Sequence, residues 1–233
     1  MVYFQTKGEI AARLLPPPLK PAALPLGAVF IANYPKTNWG LPYLESALVL
    51  SAQHGGDEGS SILSMPVTND IALILGRETF GYPKKMAEIR LEKEGNDIRG
   101  WTERHGIRFL EIKAKMSGRF NNEVAQKLIM ERLQSNPDIS VYNFKLFPAP
   151  EGNGFDYNPR LMKEIVTRKP KLVELEEAEL ILRPSTHDPW NDVIIEEVFG
   201  AIYSVGDMTM LPGKIVAEAD PAEFLPYAFM KLD

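Results

Sequence analysis

The sequence predicts an α+β fold that is mostly β, either a barrel or a sandwich with a few short helices at its edge. Many short apolar or alternating runs, each bounded by Gly, Pro, Asn or Asp, are typical of strands. Strands and helices do not alternate regularly, which argues against a doubly wound parallel sheet. Neither a repeat nor a long linker divides the 233 residues, so we predict one domain, 1–233.

A short helix is predicted near the start of the chain. Thr6 and Glu9 have the spacing of a capping box, in which two side chains satisfy free amides at a helix start. Apolar residues then recur on one face, and Pro16 ends the helix because proline lacks a backbone N–H donor. The proline-rich stretch Pro16–Pro25 predicts a rigid, partly extended connector.

Strands are predicted through most of the remaining chain. The runs are Ala28–Tyr34, Ser46–Ala52, Ser61–Val67, Ile71–Leu75, Ser140–Phe147, Leu172–Leu182 and Val193–Val205. A further hairpin joins Ile98–Glu103 to a strand at 107–114 through a turn at His105-Gly106. Apolar residues three and four apart predict a helix at Asn122–Gln134. The tail offers three apolar anchors, Phe224, Tyr227 and Phe229.

Composition and charge exclude several classes of function. The net charge of −5 argues against a general nucleic-acid binder, so a small molecule is the expected partner. No stretch approaches the roughly 18 apolar residues of a membrane span. Cysteine is absent, which excludes a disulfide framework and a thiolate metal site, and the three histidines have no metal-ligand spacing. Because the first residues lack an export signal, a cytoplasmic protein without membrane contact is expected.

Other patterns have ordinary structural interpretations. The chain has no Walker loop, HExxH helix or G-x-S-x-G elbow. Gly152-Asn153-Gly154 lacks the third glycine of a dinucleotide-binding loop and indicates a turn. An acidic run suits the solvent-exposed face of a strand, and its members are Glu174, Glu176, Glu177 and Glu179.

Chemistry is expected in the segment Gly76–Lys85, which ends in a lysine pair. A lysine nucleophile must be neutral, and at the ordinary pKa of about 10.4 only roughly one amine in 2,500 is neutral at pH 7. Lowering that pKa by about 3 units disfavours the ammonium by about 4 kcal/mol, through burial or a neighbouring cation. Lys84 and Lys85, set among aromatic residues after an apolar run, offer both. A surface charge pair after a turn is the alternative interpretation.

Four motifs together carry a resemblance to a known family. They are Gly76-Arg77-Glu78, Gly81-Tyr82-Pro83-Lys84-Lys85, Tyr43-x-Glu45 followed by Ser46-Ala47, and Asn143-Phe144-Lys145 followed by Pro148. In this combination the chain resembles the acetoacetate decarboxylase family over most of its length. The resemblance implies a β-barrel or cone with surrounding antiparallel sheet and a few short helices, assembled as a homo-oligomer.

The resemblance also implies roles for individual residues. Lys84 corresponds to the Schiff-base lysine and Lys85 to a neighbouring lysine that lowers its pKa, and this activation is that of acetoacetate decarboxylase itself. Glu45 corresponds to a carboxylate that lines the pocket and moves protons, with a structural ion pair as the alternative.

Three further residues are expected to contact the substrate, Tyr82, Arg77 and Met65. Tyr82 corresponds to an aromatic residue beside the pocket. For Arg77 and the adjacent Glu78, scaffolding at a strand end is the alternative role. Four of the six expected site residues therefore come from one short segment, Gly76–Lys85.

The resemblance implies a Schiff-base lyase that acts on a small oxo acid, most simply by decarboxylating a β-keto acid such as acetoacetate. An iminium is an electron sink that serves several bond changes, so an aldolase, a dehydratase or a cyclase using the same Lys84 is an alternative. A non-catalytic barrel that binds a small anion is another. None of these reactions requires a metal or an organic cofactor.

Two departures from the family pattern bear on the substrate. Decarboxylating members carry an arginine upstream of the first helix, and this sequence begins almost at that helix. They also carry a second carboxylate in a strand where this sequence has Val29 and Phe30. We therefore expect that the groups which recognise a β-keto acid in those members are missing from these two positions.

Overall fold

The computed structural model describes residues 1–136 and 138–228, and it is mostly β. The strands are β1 (Val2–Gln5), β2 (Lys20–Pro21), β3 (Leu26–Tyr34), β4 (Tyr43–His54), β5 (Asp57–Val67), β6 (Lys84–Met86), β7 (Glu88–Glu94), β8 (Asp97–Arg104), β9 (Ile107–Met116), β10 (Asp138–Lys145), β11 (Arg160–Leu182), β12 (Glu197–Met210) and β13 (Lys214–Glu218). The helices are α1 (Gly8–Leu14), α2 (Asp70–Leu75), α3 (Glu123–Ser135) and α4 (Pro221–Phe224). The predicted mostly-β class is confirmed.

The described strands form one hydrogen-bonded sheet whose central part closes into a ring. Its order is β10-β5-β4-β3-β1-β12-β11, and β11 pairs back with β10. Within this ring only the β10–β5 pair is parallel. β9, β8 and β7 continue the sheet antiparallel beyond β11, while β6 adds in parallel to β5. The parallel addition of β6 matters most for function because this strand begins with Lys84.

Strand β4 shows how the ring wall is buried on both of its faces. Leu48 and Leu50 pack into the larger apolar cluster with Phe109. Ala47 and Val49 point to the opposite face, where a smaller apolar cluster surrounds the site described below. Burial on both faces explains why this strand reads as a nearly continuous apolar run. Each fully buried leucine contributes about 1.5–3 kcal/mol to folding.

The predicted strand at Ile71–Leu75 is wrong, because this segment is helix α2. The Asn69 side chain accepts a hydrogen bond from the Ala72 N–H at 3.1 Å and so caps the helix. A π-helical turn, Gly76–Phe80, continues α2, and Gly81 ends it at a φ of 74°. A short apolar run does not distinguish a strand from a helix by periodicity, so the cap was the decisive signal.

Two further predictions from the sequence, the capping box at Thr6 and the exposure of Glu176, are wrong. Helix α1 begins at Gly8 without a side-chain cap, and Thr6 is buried, so the predicted capping box does not form. Glu176 was expected on an exposed strand face but is buried, and burial raises the pKa of its carboxyl. At this point β11 is paired on both edges, with β9 and with β12, and the sequence does not show this central position in the sheet.

Other local predictions are confirmed. His105 and Gly106 turn the chain between β8 and β9 with φ angles of 52° and 75°. Gly152 and Gly154 also adopt positive φ angles, in a turn. In the tail Phe224 is buried against Phe144, with ring centroids 4.7 Å apart, whereas Phe229 lies outside the described residues. Within the described part of the chain, no helix combines the length and apolar content needed to cross a bilayer.

Candidate active site

The first residue of β6, Lys84, is buried on the inner side of the ring wall. It lies in parallel register with Met65 of β5, so the two side chains share one face of the sheet. Lys84 is 6% exposed, and Met65 and Tyr82 belong to the smaller apolar cluster. The strand pairing therefore places an amine among apolar side chains, with little access to water.

Lys84 has one direct carboxylate partner, Glu45 of β4. Its Nζ lies 2.8 Å from Glu45 Oε2, and Glu45 is 4% exposed. The Nζ also lies 5.3 Å from the centroid of the Tyr43 ring and 5.6 Å from that of Tyr82. Removing both charges from water costs several kcal/mol per ion, and the short contact and the ring faces act against this cost.

Gly76 gives the Lys84 side chain the room that it occupies. A Cβ at Gly76 would lie 2.6 Å from Lys84 Cδ, 2.7 Å from Cε and 3.2 Å from Nζ. The helical backbone of Gly76 has ordinary φ and ψ angles, so packing and not backbone conformation requires glycine here. The glycine of the Gly-Arg-Glu motif is therefore required because it has no side chain, which leaves space for Lys84.

A second carboxyl group, Glu164 of β11, reaches the same site from the other side of the ring. The Tyr82 hydroxyl donates a hydrogen bond to Glu164 Oε1. Burial raises the pKa of Glu164 to about 7, opposed by the Tyr82 hydrogen bond and by the positive charge of Lys84. Burial and the negative charge of Glu164 together raise the pKa of Tyr82 well above its ordinary value.

Aromatic residues of β3 and β4 close the site on the Glu45 side. The rings of Tyr34 and Tyr43 stack with centroids 4.9 Å apart, and Trp39 stacks on Tyr43 at 5.5 Å. Burial, with the charge and hydrogen bonding of Glu45, raises the pKa of both tyrosines above the ordinary value. These phenols therefore stay protonated beside Glu45 at neutral pH.

Lys85 lies on the opposite face of β6, because successive strand residues point to opposite sides. Its Nζ donates to the His187 carbonyl at 2.9 Å and to Asp188 Oδ1 at 3.3 Å. Asp188 also pairs with Arg104 at 3.3 Å. This charged cluster ties β6 to the segment around Asp188 and to the end of β8.

The expected substrate-contacting residues are placed differently from one another. Tyr82 and Met65 lie beside Lys84, as described above. Arg77 is half-buried in the π-helical turn, where burial lowers its pKa against the charge of Glu78. Among the described residues no ion pair joins Arg77 to Glu45 or to Glu164.

Sequence reasoning missed Glu164, although its strand carries a signal. Met162, Glu164 and Val166 alternate on the buried face of β11, and a carboxylate on an otherwise apolar face is unusual. Phe30 lies on the same sheet face as Glu45, because it pairs with Ala47 two residues further along β4. The second carboxylate therefore comes from β11, while Phe30 of β3 adds an apolar wall.

Fold and site together define a class of protein. Its members have a closed ring of β-strands and a buried lysine that faces two carboxyl groups. Within residues 1–136 and 138–228 no group of three or more His, Asp or Glu side chains is arranged to hold a metal ion. The chemistry available from the described side chains is that of an amine, two carboxyl groups and several phenols.

Comparison with known proteins gives the family. The family model described as acetoacetate decarboxylase matches residues 1–219. The acetoacetate decarboxylase of Burkholderia vietnamiensis is 26% identical over 218 residues, which cover 93% of this chain and 84% of that protein. The chain belongs to the acetoacetate decarboxylase family, which confirms the resemblance, and its relatives indicate a lyase of the decarboxylase type.

Solved structures agree with this assignment at the level of the fold. The acetoacetate decarboxylase of Legionella pneumophila has a TM-score of 0.81 at 21% identity, covering 93% of this chain and 83% of that one. The enduracididine biosynthesis enzyme MppR, complexed with pyruvate, has a TM-score of 0.71 at 17% identity, covering 93% and 87%. The ring of strands around the lysine site is therefore a shared architecture.

Proposed function

We propose that this protein is a Schiff-base lyase that acts on a small oxo acid, with decarboxylation of a β-keto acid such as acetoacetate as the leading reaction. The observation that carries the proposal is the buried Lys84 amine, 2.8 Å from a buried carboxylate. Membership of the acetoacetate decarboxylase family supports the same assignment. Lys84 is the proposed nucleophile and Glu45 its proton acceptor.

The Lys84–Glu45 contact provides a route to the neutral amine. Moving one proton across the 2.8 Å contact converts two buried charges into a neutral amine and a neutral carboxylic acid. Burial disfavours both charged forms and so reduces the cost of this transfer. The proton stays on Glu45, beside the reacting atoms, for a later step.

The neutral amine then adds to the substrate ketone, and loss of water gives an iminium. The carbon–carbon bond to the carboxylate breaks, its electron pair flows into the iminium, and carbon dioxide leaves. Glu45 returns its proton to the enamine carbon, and water hydrolyses the new iminium to release the ketone and the amine. Met65 and Tyr82 are the proposed substrate contacts, because both lie beside Lys84.

Aldol condensation, dehydration or cyclisation through the same iminium is the second candidate. Phe30 provides an apolar wall where decarboxylating relatives are expected to have a carboxylate. The complex of the similar enzyme MppR with pyruvate supports a broader range of oxo acids. Both candidate reactions use Lys84 and can be told apart by their products. Decarboxylation releases carbon dioxide, whereas the second candidate forms a new carbon–carbon bond or ring or releases water.

A barrel that binds an anion by charge alone is less consistent with the site. The Lys84 charge is already paired with Glu45, and Glu164 adds a second carboxyl group. An anion would meet little net positive charge there. The roles of Lys85 and Arg77 stay predictions, and the pairing of Lys85 with Asp188 adds a part in positioning β6.

Borohydride trapping tests the proposal. The protein is incubated with acetoacetate, pyruvate or an aromatic aldehyde and reduced, and the adduct is located by peptide mass spectrometry. We expect one adduct on Lys84, and the best-trapped compound then indicates the substrate class. A Lys115→Arg variant, changed at an exposed lysine of β9, serves as the control and should trap normally. Absence of an adduct with every carbonyl from a folded sample would refute the Schiff-base assignment.

Gly76→Ala is expected to lower turnover by about 10²-fold while the fold is kept. The new methyl group would overlap Lys84 Cδ and Cε and displace the amine from Glu45, and a displacement of about 1 Å can have this effect. Steady-state kinetics with the best-trapped oxo acid gives the measurement. Gly8→Ala is the matched control, because no atom lies within 4 Å of its added methyl group. Unchanged turnover in Gly76→Ala would contradict the packing argument.

The single domain, the homo-oligomer and the cytoplasmic location stay predictions from the sequence.

A further inference from the structure

Glu164 is a buried acid at the lysine site that the exchange between Lys84 and Glu45 does not use. It is 1% exposed and lies on the inner face of β11 between Met162 and Val166. Its Oε1 accepts the Tyr82 hydrogen bond, whereas its buried Oε2 has no hydrogen-bond partner in the described structure. An unpartnered buried oxygen is most costly on a charged carboxylate, and protonation of the carboxyl group removes that charge.

The surroundings of Glu164 favour the protonated carboxyl near neutral pH. Burial is the largest influence and raises the pKa to about 7. Tyr82 donates to Glu164 and keeps its own proton, since burial and nearby negative charge raise its pKa. The other charged or titratable groups that act on this pair are Lys84 from β6, Glu45 from β4 and Tyr34 from β3, while Arg168 of β11 acts on Tyr34.

We propose that Glu164, through the Tyr82 hydroxyl, supplies the proton with which the substrate's oxygen leaves as water when the iminium forms on Lys84. This inference rests on the proposed function and divides its proton transfers between two acids. Glu45 holds the proton that came from the amine, and Glu164 holds a separate one. Glu164 is a positioning and proton-holding residue, because it is hydrogen-bonded to Tyr82, whose ring faces Lys84 Nζ.

The proposed step balances in protons and electrons. Lys84 adds to the ketone and gives a carbinolamine. For this step the Glu164 proton lies on Oε1 and is donated to the Tyr82 oxygen, which reverses the resting hydrogen bond between them. The Tyr82 hydroxyl gives its own proton to the carbinolamine oxygen and takes the one from Glu164 Oε1, so the C–O bond breaks and water leaves. The nitrogen lone pair forms the C=N bond, and Glu164 is left as a carboxylate. Hydrolysis at the end of the cycle runs in reverse and returns the proton to Glu164.

The positions of Tyr82 and Glu45 relative to Lys84 assign the two acids to different atoms. The Tyr82 ring lies 5.6 Å from Lys84 Nζ, and its hydroxyl is already hydrogen-bonded to Glu164. Glu45 contacts Nζ directly, and in the proposed cycle it exchanges protons with the nitrogen and with the enamine carbon two bonds away from it. Two acids on opposite sides of one amine can therefore serve different atoms of the intermediate.

The test measures how fast the trappable iminium forms, by rapid mixing with acetoacetate or pyruvate followed by borohydride. We expect Glu164→Gln to slow this rate by about 10²-fold, within the range typical of general acid catalysis. Tyr82→Phe should slow it by a similar factor, and the double variant should be no slower than the slower single variant. Glu164→Asp should recover part of the rate, and Glu179→Gln, at an exposed residue of the same strand, should leave it unchanged.

The pH dependence gives a readout that a purely structural role would not change. The wild-type rate should fall as pH rises through about 7, where Glu164 loses its proton, and this fall should be absent in Glu164→Gln. Folded Glu164 keeps a proton that the unfolded chain releases near 4.5, so wild-type stability should decrease from about pH 4.5 to 7 relative to Glu164→Gln.

The outcomes separate this inference from the proposed function. Formation of the Lys84 iminium at the wild-type rate and pH profile in Glu164→Gln overturns the role of Glu164 and leaves the Schiff-base assignment intact. Absence of any iminium in the wild type refutes the assignment and this inference with it. Slower formation with loss of the fall near pH 7, in a variant that is folded at every pH of the assay, supports both.

Discussion

Lys84→Arg is expected to reduce turnover of every oxo acid by about 10⁴-fold or more, on the scale seen when a covalent nucleophile is removed. Arginine keeps the positive charge and the pairing with Glu45 but does not lose its proton in proteins, so it provides no neutral amine. The measurement is carbon dioxide release from acetoacetate together with consumption of the other trapped carbonyls. Borohydride labelling of the variant should also disappear.

Two comparisons make the Lys84→Arg result specific. Lys115→Arg, on the exposed side of β9, should keep wild-type kinetics. Denaturant unfolding should show that Lys84→Arg is folded, which excludes collapse of the site as the cause. A variant that retains turnover would remove Lys84 as the nucleophile and leave an electrostatic role for it.

Asp188→Asn is expected to lower the free energy of unfolding by about 3–5 kcal/mol, the range for breaking a buried ion pair by removing one partner. The Asp188 side chain is 0% exposed and contacts two cations, Lys85 and Arg104. Without its negative charge both cations stay buried with less compensation. Urea or guanidinium unfolding, monitored at neutral pH, gives the measurement.

The matched control for Asp188→Asn is Asp207→Asn. Asp207 also pairs with a lysine, Lys171 at 2.9 Å, but both side chains are largely exposed. Ion pairs in water contribute little to stability, so the control should unfold like the wild type. Equal unfolding of the two variants would show that the buried cluster around Asp188 does not hold β6 in place.

The effect of Asp188→Asn should extend to Lys84, since Lys85 is the adjacent residue of β6. A shift of this short strand would move the amine relative to Glu45. We therefore expect turnover to fall along with stability, while the pH profile keeps its shape because Glu164 is unchanged. The ion pair of Lys85 with Asp188 on one face of β6 would then affect the reaction of Lys84 on the other face.

Several parts of the fold and site could be predicted from residues close together in the chain. Short-range sequence patterns predicted the apolar strand β4, the turn at His105 and Gly106, and the mostly-β class. The lysine segment was also recognisable, because Lys84 follows Gly81-Tyr82-Pro83 in a motif combination. Glu45 was expected beside Lys84 by resemblance, and the structure places the two 2.8 Å apart.

Other parts depended on contacts between distant segments. Helix α2 was misread as a strand because five apolar residues satisfy either pattern, and the cap at Asn69 settled it. At Glu176 both edges of β11 are paired, with β9 and β12, and these pairings join segments that lie far apart in the chain. Strand β6 exists because β5 pairs with it, since three residues carry no periodicity of their own.

The class of fold, the family and the lysine of the proposed chemistry could all be inferred from the residue order, because short-range patterns and four short motifs specify them. Which acids lie beside that lysine depends on how distant strands pair. Glu45 and Glu164 are more than a hundred residues apart, and closure of the ring through β10 and β11 brings them to opposite sides of one site. Lys85 lies beside Asp188 instead, because neighbouring residues of a strand face opposite ways.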